Sequence, residues 1–248
     1  MLRNKLVLAE THDYAAAKEP KLAVVMIHGI ASDSATYHEA LEYLENNRSL
    51  NEIRFITFDL LGSGKSLKSD ELNYDYHDQV TALHNSIRAL KLGKTPLVLI
   101  GHSLGTFIVT KYAATHEKTV QSLILVSPPI YTPEDLDNPA FAAGMKMFRD
   151  AVGLKNHKIL EDKAFNNSMD RIVLNRNNYQ TLSEIKVPTV LIYGVADQLI
   201  ASYNVPKVLK DNSKYVKAIK TNGRHGITED KYRKIGKILE EALNAQDI

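Results

Sequence analysis

The sequence predicts an α/β fold, with a mostly parallel central sheet flanked by helices and one helical insertion. Three observations lead there. Short apolar runs recur at residues 22–27 (LAVVMI), 96–100 (PLVLI), 123–126 (LILV) and 189–193 (TVLIY), without polar–apolar alternation. Such runs fit parallel strands covered on both faces. Segments of helical period separate them, at 35–45, 76–92, 104–114 and 230–245. After Pro128-Pro129 the rhythm stops, and no strand-like run returns before Val187-Pro188.

Two further strands complete the sheet: residues 53–58 (IRFITF), with partial alternation, and the short run 215–219. The interrupting segment holds three of the five Met and three of the six Phe residues. A helix opens in it at Asn138-Pro139, since Asn caps well and Pro is tolerated in a first turn. The expected layout is a core of residues 1–130 and 187–248, with residues 131–186 as an inserted helical cap. Phe141, Met145 and Phe148 fall at i, i+4 and i+7, on one stripe of that helix. The stripe can anchor the cap to the core. With the flexible, polarizable Met145, Met147 and Met169 it can also line an acyl or aryl pocket. Lys146, Arg149, Arg171 and Arg176 offer cations for a substrate carboxylate, although exposed helix charges are usually solvated.

Composition narrows the chemistry. The chain has 248 residues, 31 Lys and Arg against 29 Asp and Glu, and no cysteine. Absence of cysteine excludes disulfides, thiolate nucleophiles, iron–sulfur clusters and Cys-based zinc sites. Near-neutral charge gives no reason to expect nucleic acid. Glu10 interrupts the N-terminal apolar run, and no run reaches the ~18 residues of a membrane span. A soluble cytoplasmic protein, monomer or homodimer, with no membrane partner is the expectation. Residues 201–240 carry ten Lys and Arg against four Asp and Glu, read as a solvated face. Gly62-Ser-Gly64-Lys65-Ser66 imitates a phosphate loop, but that motif needs Gly where Asp59 stands.

Gly101-His-Ser103-Leu104-Gly105 follows one strand at once and opens a helix. In that setting G-x-S-x-G is a nucleophile turn: the sharp bend strains the serine backbone and projects its side chain above the sheet. Ser103 then sits at a helix N-terminus, which favours developing negative charge. The bland alternative is a Gly-rich turn with a capping serine.

A nucleophilic serine needs a base, itself oriented by an acid. In this motif's chain order the acid comes second and the histidine last. Asp197 lies just past the end of strand 189–193, with Asp135, after the preceding strand, as rival acid. His225 follows the late strand 215–219. The other eight histidines, His157 among them, are read mostly as surface or capping residues. Charge on a tetrahedral intermediate needs two N–H donors. The backbone of Leu104, just after the serine, and of Ile30, in the His28-Gly29-Ile30 loop, are the candidates.

These segments, with Asp59-Leu-Leu-Gly62-Ser-Gly64 and Val187-Pro through Asp197, resemble the successive signatures of the α/β-hydrolase superfamily. The resemblance spans residues 22–130 and 185–247. It implies the α/β-hydrolase fold, a Ser103–Asp197–His225 triad and a cap over the active site. The layout looks most like the small capped esterases, lactonases and carbon–carbon bond hydrolases. Departures exist too. Only 21 residues precede Leu22, so N-terminal antiparallel strands must be abbreviated, and Thr106 stands where many relatives have a small residue. The expected function is hydrolysis of a small carboxylic ester, thioester or lactone substrate through an acyl-enzyme, without metal or cofactor. Two other readings remain: a carbon–carbon bond hydrolase of diketone-like substrates, and a ligand-sensing regulator that keeps the triad.

Overall fold

The structure is a computed structural model describing residues 6–92, 95–153 and 162–244. Its centre is a seven-stranded sheet: β1 (Ala9–Ala15), β2 (Leu22–Ile27), β3 (Ile53–Asp59), β4 (Leu97–His102), β5 (Val120–Val126), β6 (Thr189–Gly194) and β7 (Val216–Thr221). The spatial order is β1-β3-β2-β4-β5-β6-β7, and only β1 runs antiparallel to its neighbour. Among the described residues the antiparallel part of the sheet is the one strand β1, paired with β3 at the sheet edge.

The unbroken apolar runs have a direct cause. In β2, Val25 and Ile27 join one buried cluster, whereas Val24 and Met26 join the other on the opposite face. Each face is covered by helices. α2 (Tyr76–Ala89) and α3 (Leu104–Thr115) pack Leu83, Phe107 and Ile108 against the first. α1 (His38–Glu45) and α9 (Glu229–Asn244) pack Leu44, Ile235 and Leu239 against the second. A strand buried on both sides has no polar face to show.

Between β5 and β6 lie α4 (Pro133–Leu136), α5 (Pro139–Gly153), α6 (Asp162–Ser168) continued by a π-helical turn, and α7 (Asn178–Ser183). No strand interrupts them among the described residues. Asn138 caps α5 as expected, its side chain accepting from the Ala140 N–H at 2.9 Å. The short α8 (Val205–Asp211) precedes β7. Among the described residues no helix is long and apolar enough to cross a membrane.

Parallel strands deliver their C-terminal ends to one edge. Ile27 stands beside Gly101, His102 beside Val126, and Gly194 beside Thr221. The loops after β2, β4, β5, β6 and β7 thus emerge together, where ligands of such sheets bind.

Candidate active site

Ser103 follows β4 with φ 51° and ψ −119°, a left-handed backbone that side chains rarely adopt. The turn holds this strain because its neighbours leave no alternative. A Cβ on Gly101 would strike the Gly105 backbone at 2.6 Å, and one on Gly105 would strike the Ile27 and His28 carbonyls. The Ser103 N–H donates to the Val126 carbonyl at 2.9 Å. Thr106 is accommodated rather than tolerated: it is buried, and its hydroxyl donates to the Ser103 carbonyl at 2.5 Å. The Ser103 side chain makes no capping bond to α3. It is not a helix cap.

Asp197 reaches His225 from the loop after β6. The His225 Nδ1 lies 2.9 Å from one Asp197 carboxylate oxygen and 3.2 Å from the other. A carboxylate can only accept, so Nδ1 carries the proton and Nε2 keeps a lone pair. The Asp197 side chain is fully buried, and that of His225 is 22% exposed. Burial pushes the Asp197 carboxyl up, but hydrogen bonds from His225, the Leu199 N–H and Ser127 hold it below the usual range. The rival acid is engaged elsewhere. Asp135 accepts from the Tyr203 hydroxyl at 2.7 Å, the Asn204 amide at 2.7 Å and the Thr132 N–H at 2.8 Å.

Two histidines read as surface or capping residues are buried instead. His28 accepts from the Leu60 N–H at 2.9 Å through Nε2, and its Nδ1 donates to the Gly29 carbonyl at 2.7 Å. Burial pushes its pKa down, and the two hydrogen bonds set this tautomer. His102 donates from Nε2 to the His225 carbonyl at 2.8 Å, with burial, then the neighbouring His225, pushing its pKa down to about 3. His157 lies outside the described residues. Lys231 also departs from the expectation of a solvated basic face, because it is fully buried.

Ser103 and His225 line one cavity of about 500 Å³. Its remaining wall is mostly apolar. Ile30 comes from the loop after β2, and Phe141, Met145 and Phe148 from α5. Met169 and Val173 come from the π-helical turn, and Leu199, Ile200 and Tyr203 from the segment after Asp197. Phe141, Met145 and Phe148 also pack against the main core, so the stripe both anchors and lines. Met147 does neither, being 74% exposed. Leu104 is buried directly behind Ser103 at the first position of α3, where N–H groups lack intrahelical partners.

No Lys, Arg, Asp or Glu lines the cavity among the described residues. The four cations named from the sequence are spoken for: Lys146 pairs with Asp150, Arg149 with Asp170, Arg171 with Asp75 and Arg176 with Asp137. The segment Gln198–Tyr203 was not among the pocket residues expected from sequence. Its position just after the acid is the signal that marks it.

A profile of the α/β hydrolase fold matches residues 23–159. The human monoacylglycerol lipase ABHD6 is 23% identical over 90% of this chain and 75% of its own length. The probable lysophospholipase BODYGUARD 1 of Arabidopsis thaliana is 33% identical over 44% of the chain and 23% of its own. An Exiguobacterium antarcticum esterase superposes with a TM-score of 0.69 at 20% identity, covering 94% of both chains. The Paleococcus ferrophilus monoacylglycerol lipase superposes at 0.67 and 20% identity, covering 95% of this chain and 99% of its own. The sheet order, the strained serine turn and the matched profile agree, and the chain belongs to the α/β-hydrolase fold family.

Proposed function

We propose that this chain is a serine hydrolase of small, uncharged carboxylic esters whose acyl group enters the apolar cavity. One observation carries the reading: His225, held by the buried Asp197, and the strained Ser103 turn both stand on the wall of that cavity. Nε2 of His225 takes the Ser103 proton as Oγ attacks the ester carbonyl carbon. The backbone N–H groups of Ile30 and Leu104 receive the resulting oxyanion. As the tetrahedral intermediate collapses, the alcohol leaves with the proton from His225. Water then attacks the acyl-enzyme by the same route. Asp197 holds the imidazole in its tautomer and stabilises it when charged. No metal enters these steps, so EDTA leaves the rate unchanged. Helices α4 to α7 act as the cap and supply the acyl wall.

An apolar wall without a cation favours a neutral acyl chain over a carboxylate-bearing substrate. The lipase and lysophospholipase names of the relatives support an acyl ester of a polar alcohol. The test is a series of C2 to C8 aryl esters and a monoacylglycerol, with a fluorophosphonate as active-site label. Turnover together with labelling, both lost in Ser103→Ala, is the expected result. Labelling that persists in Ser103→Ala overturns the assignment of the nucleophile.

A further inference from the structure

Lys231 stands where the sequence of α9 calls for an apolar residue. It precedes Ile235, Leu239 and Leu243 at four-residue intervals, and all four are buried. A buried ammonium must be solvated by fixed dipoles or paired with a carboxylate. Among the described residues no carboxylate lies within ion-pair distance. Instead the ammonium donates to the Ser127 hydroxyl at 2.7 Å, the Gly226 carbonyl at 2.8 Å and the His225 carbonyl at 3.2 Å, and also to the Arg224 carbonyl. Three consecutive carbonyls of the histidine loop therefore turn inward onto one cation.

Ser127 extends the connection. It directly follows β5 in a left-handed backbone, φ 51°, and is fully buried. Its hydroxyl accepts from Lys231, and it lies near enough to Asp197 to be the smallest of the named influences that hold that carboxyl low. Asp197 in turn receives Nδ1–H of His225. Three hydrogen bonds tie these groups together, Lys231 to Ser127, His225 Nδ1 to Asp197 and Lys231 to the His225 carbonyl, with Ser127 beside Asp197. His102 donates to the same His225 carbonyl. The histidine is thus fixed at its ring by the acid and at its backbone by two donors.

We propose that Lys231 is a positioning residue for His225, its ammonium holding the histidine loop and, through Ser127, the Asp197 carboxylate in register. The role rests on the triad reading above. It requires the charged form, because a neutral amine has two N–H groups where the ammonium has three. Burial brings the Lys231 pKa down to about 8, opposed by Asp197 and Asp230. The charged and titratable groups around it are Asp197 after β6, His102 in the serine turn, Arg224 and His225 on the histidine loop, and Asp230 on its own helix. Loss of the Lys231 proton above neutrality therefore loosens the histidine loop.

The experiment measures kcat and KM of the whole protein on an aryl ester from pH 6 to 10, with the fluorophosphonate labelling rate in parallel. Wild-type kcat should show an alkaline limb near pH 8 with KM nearly constant. Lys231→Met should lower kcat and the labelling rate by on the order of 10², the scale of a misplaced catalytic group, and abolish that limb. Ser127→Ala keeps the ammonium and its three carbonyl acceptors and removes only the hydroxyl between Lys231 and Asp197, so it should lower kcat less and retain the limb. A flat wild-type profile from pH 7 to 10 overturns the proposal even if Lys231→Met fails to fold. So does a folded Lys231→Met with wild-type kcat, or one that keeps the alkaline limb. Failure of the triad reading has a different signature: Ser103→Ala would keep its turnover whatever Lys231 does.

Discussion

The Asp197 carboxylate grips Nδ1 of His225 with both oxygens, at 2.9 and 3.2 Å, while its side chain is shut off from solvent. The consequence is chemical. A buried acceptor that can only accept fixes which ring nitrogen is protonated, and leaves the other as a base toward the cavity.

Replacing that acceptor with an amide tests the point. Asp197→Asn can present N–H to Nδ1 and so stabilise the wrong tautomer. The matching change in a well-studied serine protease costs about 10⁴ in kcat, and a loss of that order is expected here. Asp135→Asn should leave kcat close to wild type. Steady-state kinetics of the two variants on one aryl ester decide between the acids.

Acid should destabilise the fold through the same two carboxylates. Burial pushes both up, but their hydrogen bonds prevail and hold Asp197 and Asp135 below the ordinary 3.8. A carboxyl depressed in the folded state adds stability that is complete above its unfolded value. That stability is lost as pH falls through the folded value. Urea titrations from pH 6 down to 2.5 should show the midpoint falling below about pH 4. The fall should be shallower in Asp135→Asn, which no longer titrates.

The cavity wall can be changed one residue at a time. Gly144 lies on α5, lines the cavity, and has nothing within 4 Å of where a Cβ would stand. Gly144→Ala should raise stability by about 0.5–1 kcal/mol, the helix propensity difference, measured by thermal melting. Gly144→Leu should also fill space and shift preference among C2 to C8 esters toward short chains, by roughly tenfold or more per excluded methylene.

Phe148→Ala should shift preference the other way. Phe148 is half-buried, so its loss should cost less than the ~3–5 kcal/mol of a fully buried Phe. A flat chain-length profile with a large melting loss would mean the side chain only anchors α5.

Much of this architecture was legible because both sheet faces are covered. Strands such as Leu22–Ile27, and residues 97–100 and 123–126 of β4 and β5, are apolar throughout, and that signal survives in a single sequence. β1 left no such mark. Its residues, AETHDYA, lie half-buried or exposed at the sheet edge and are held there by pairing with β3. α8 was missed for length, seven residues with Pro at its second position. At the site, the turn and loops announced Ser103, Asp197 and His225 as candidates. Both Asp197 and Asp135 follow strands; the sequence ranks Asp197 first, and the distances show which carboxylate lies against His225. Lys231 was readable in principle, as a cation on the apolar stripe of α9. Counting charge over residues 201–240 hid it among lysines that are solvated.

The backbone seams have a further consequence, for divergence. Gly194 lies so close to the Gly223 carbonyl that no Cβ fits between them, and Gly105 is wedged against Ile27 and His28 in the same way. These seams join the acid strand to the histidine loop, and the serine turn to the loop bearing Ile30. At such positions a single residue type is admissible, so drift there is arrested. The wall supplied by α5 is under no such restriction, as the open space at Gly144 shows. A lineage can therefore alter what the cavity admits by substitutions on one helix while the serine, acid and histidine backbones stay where they are.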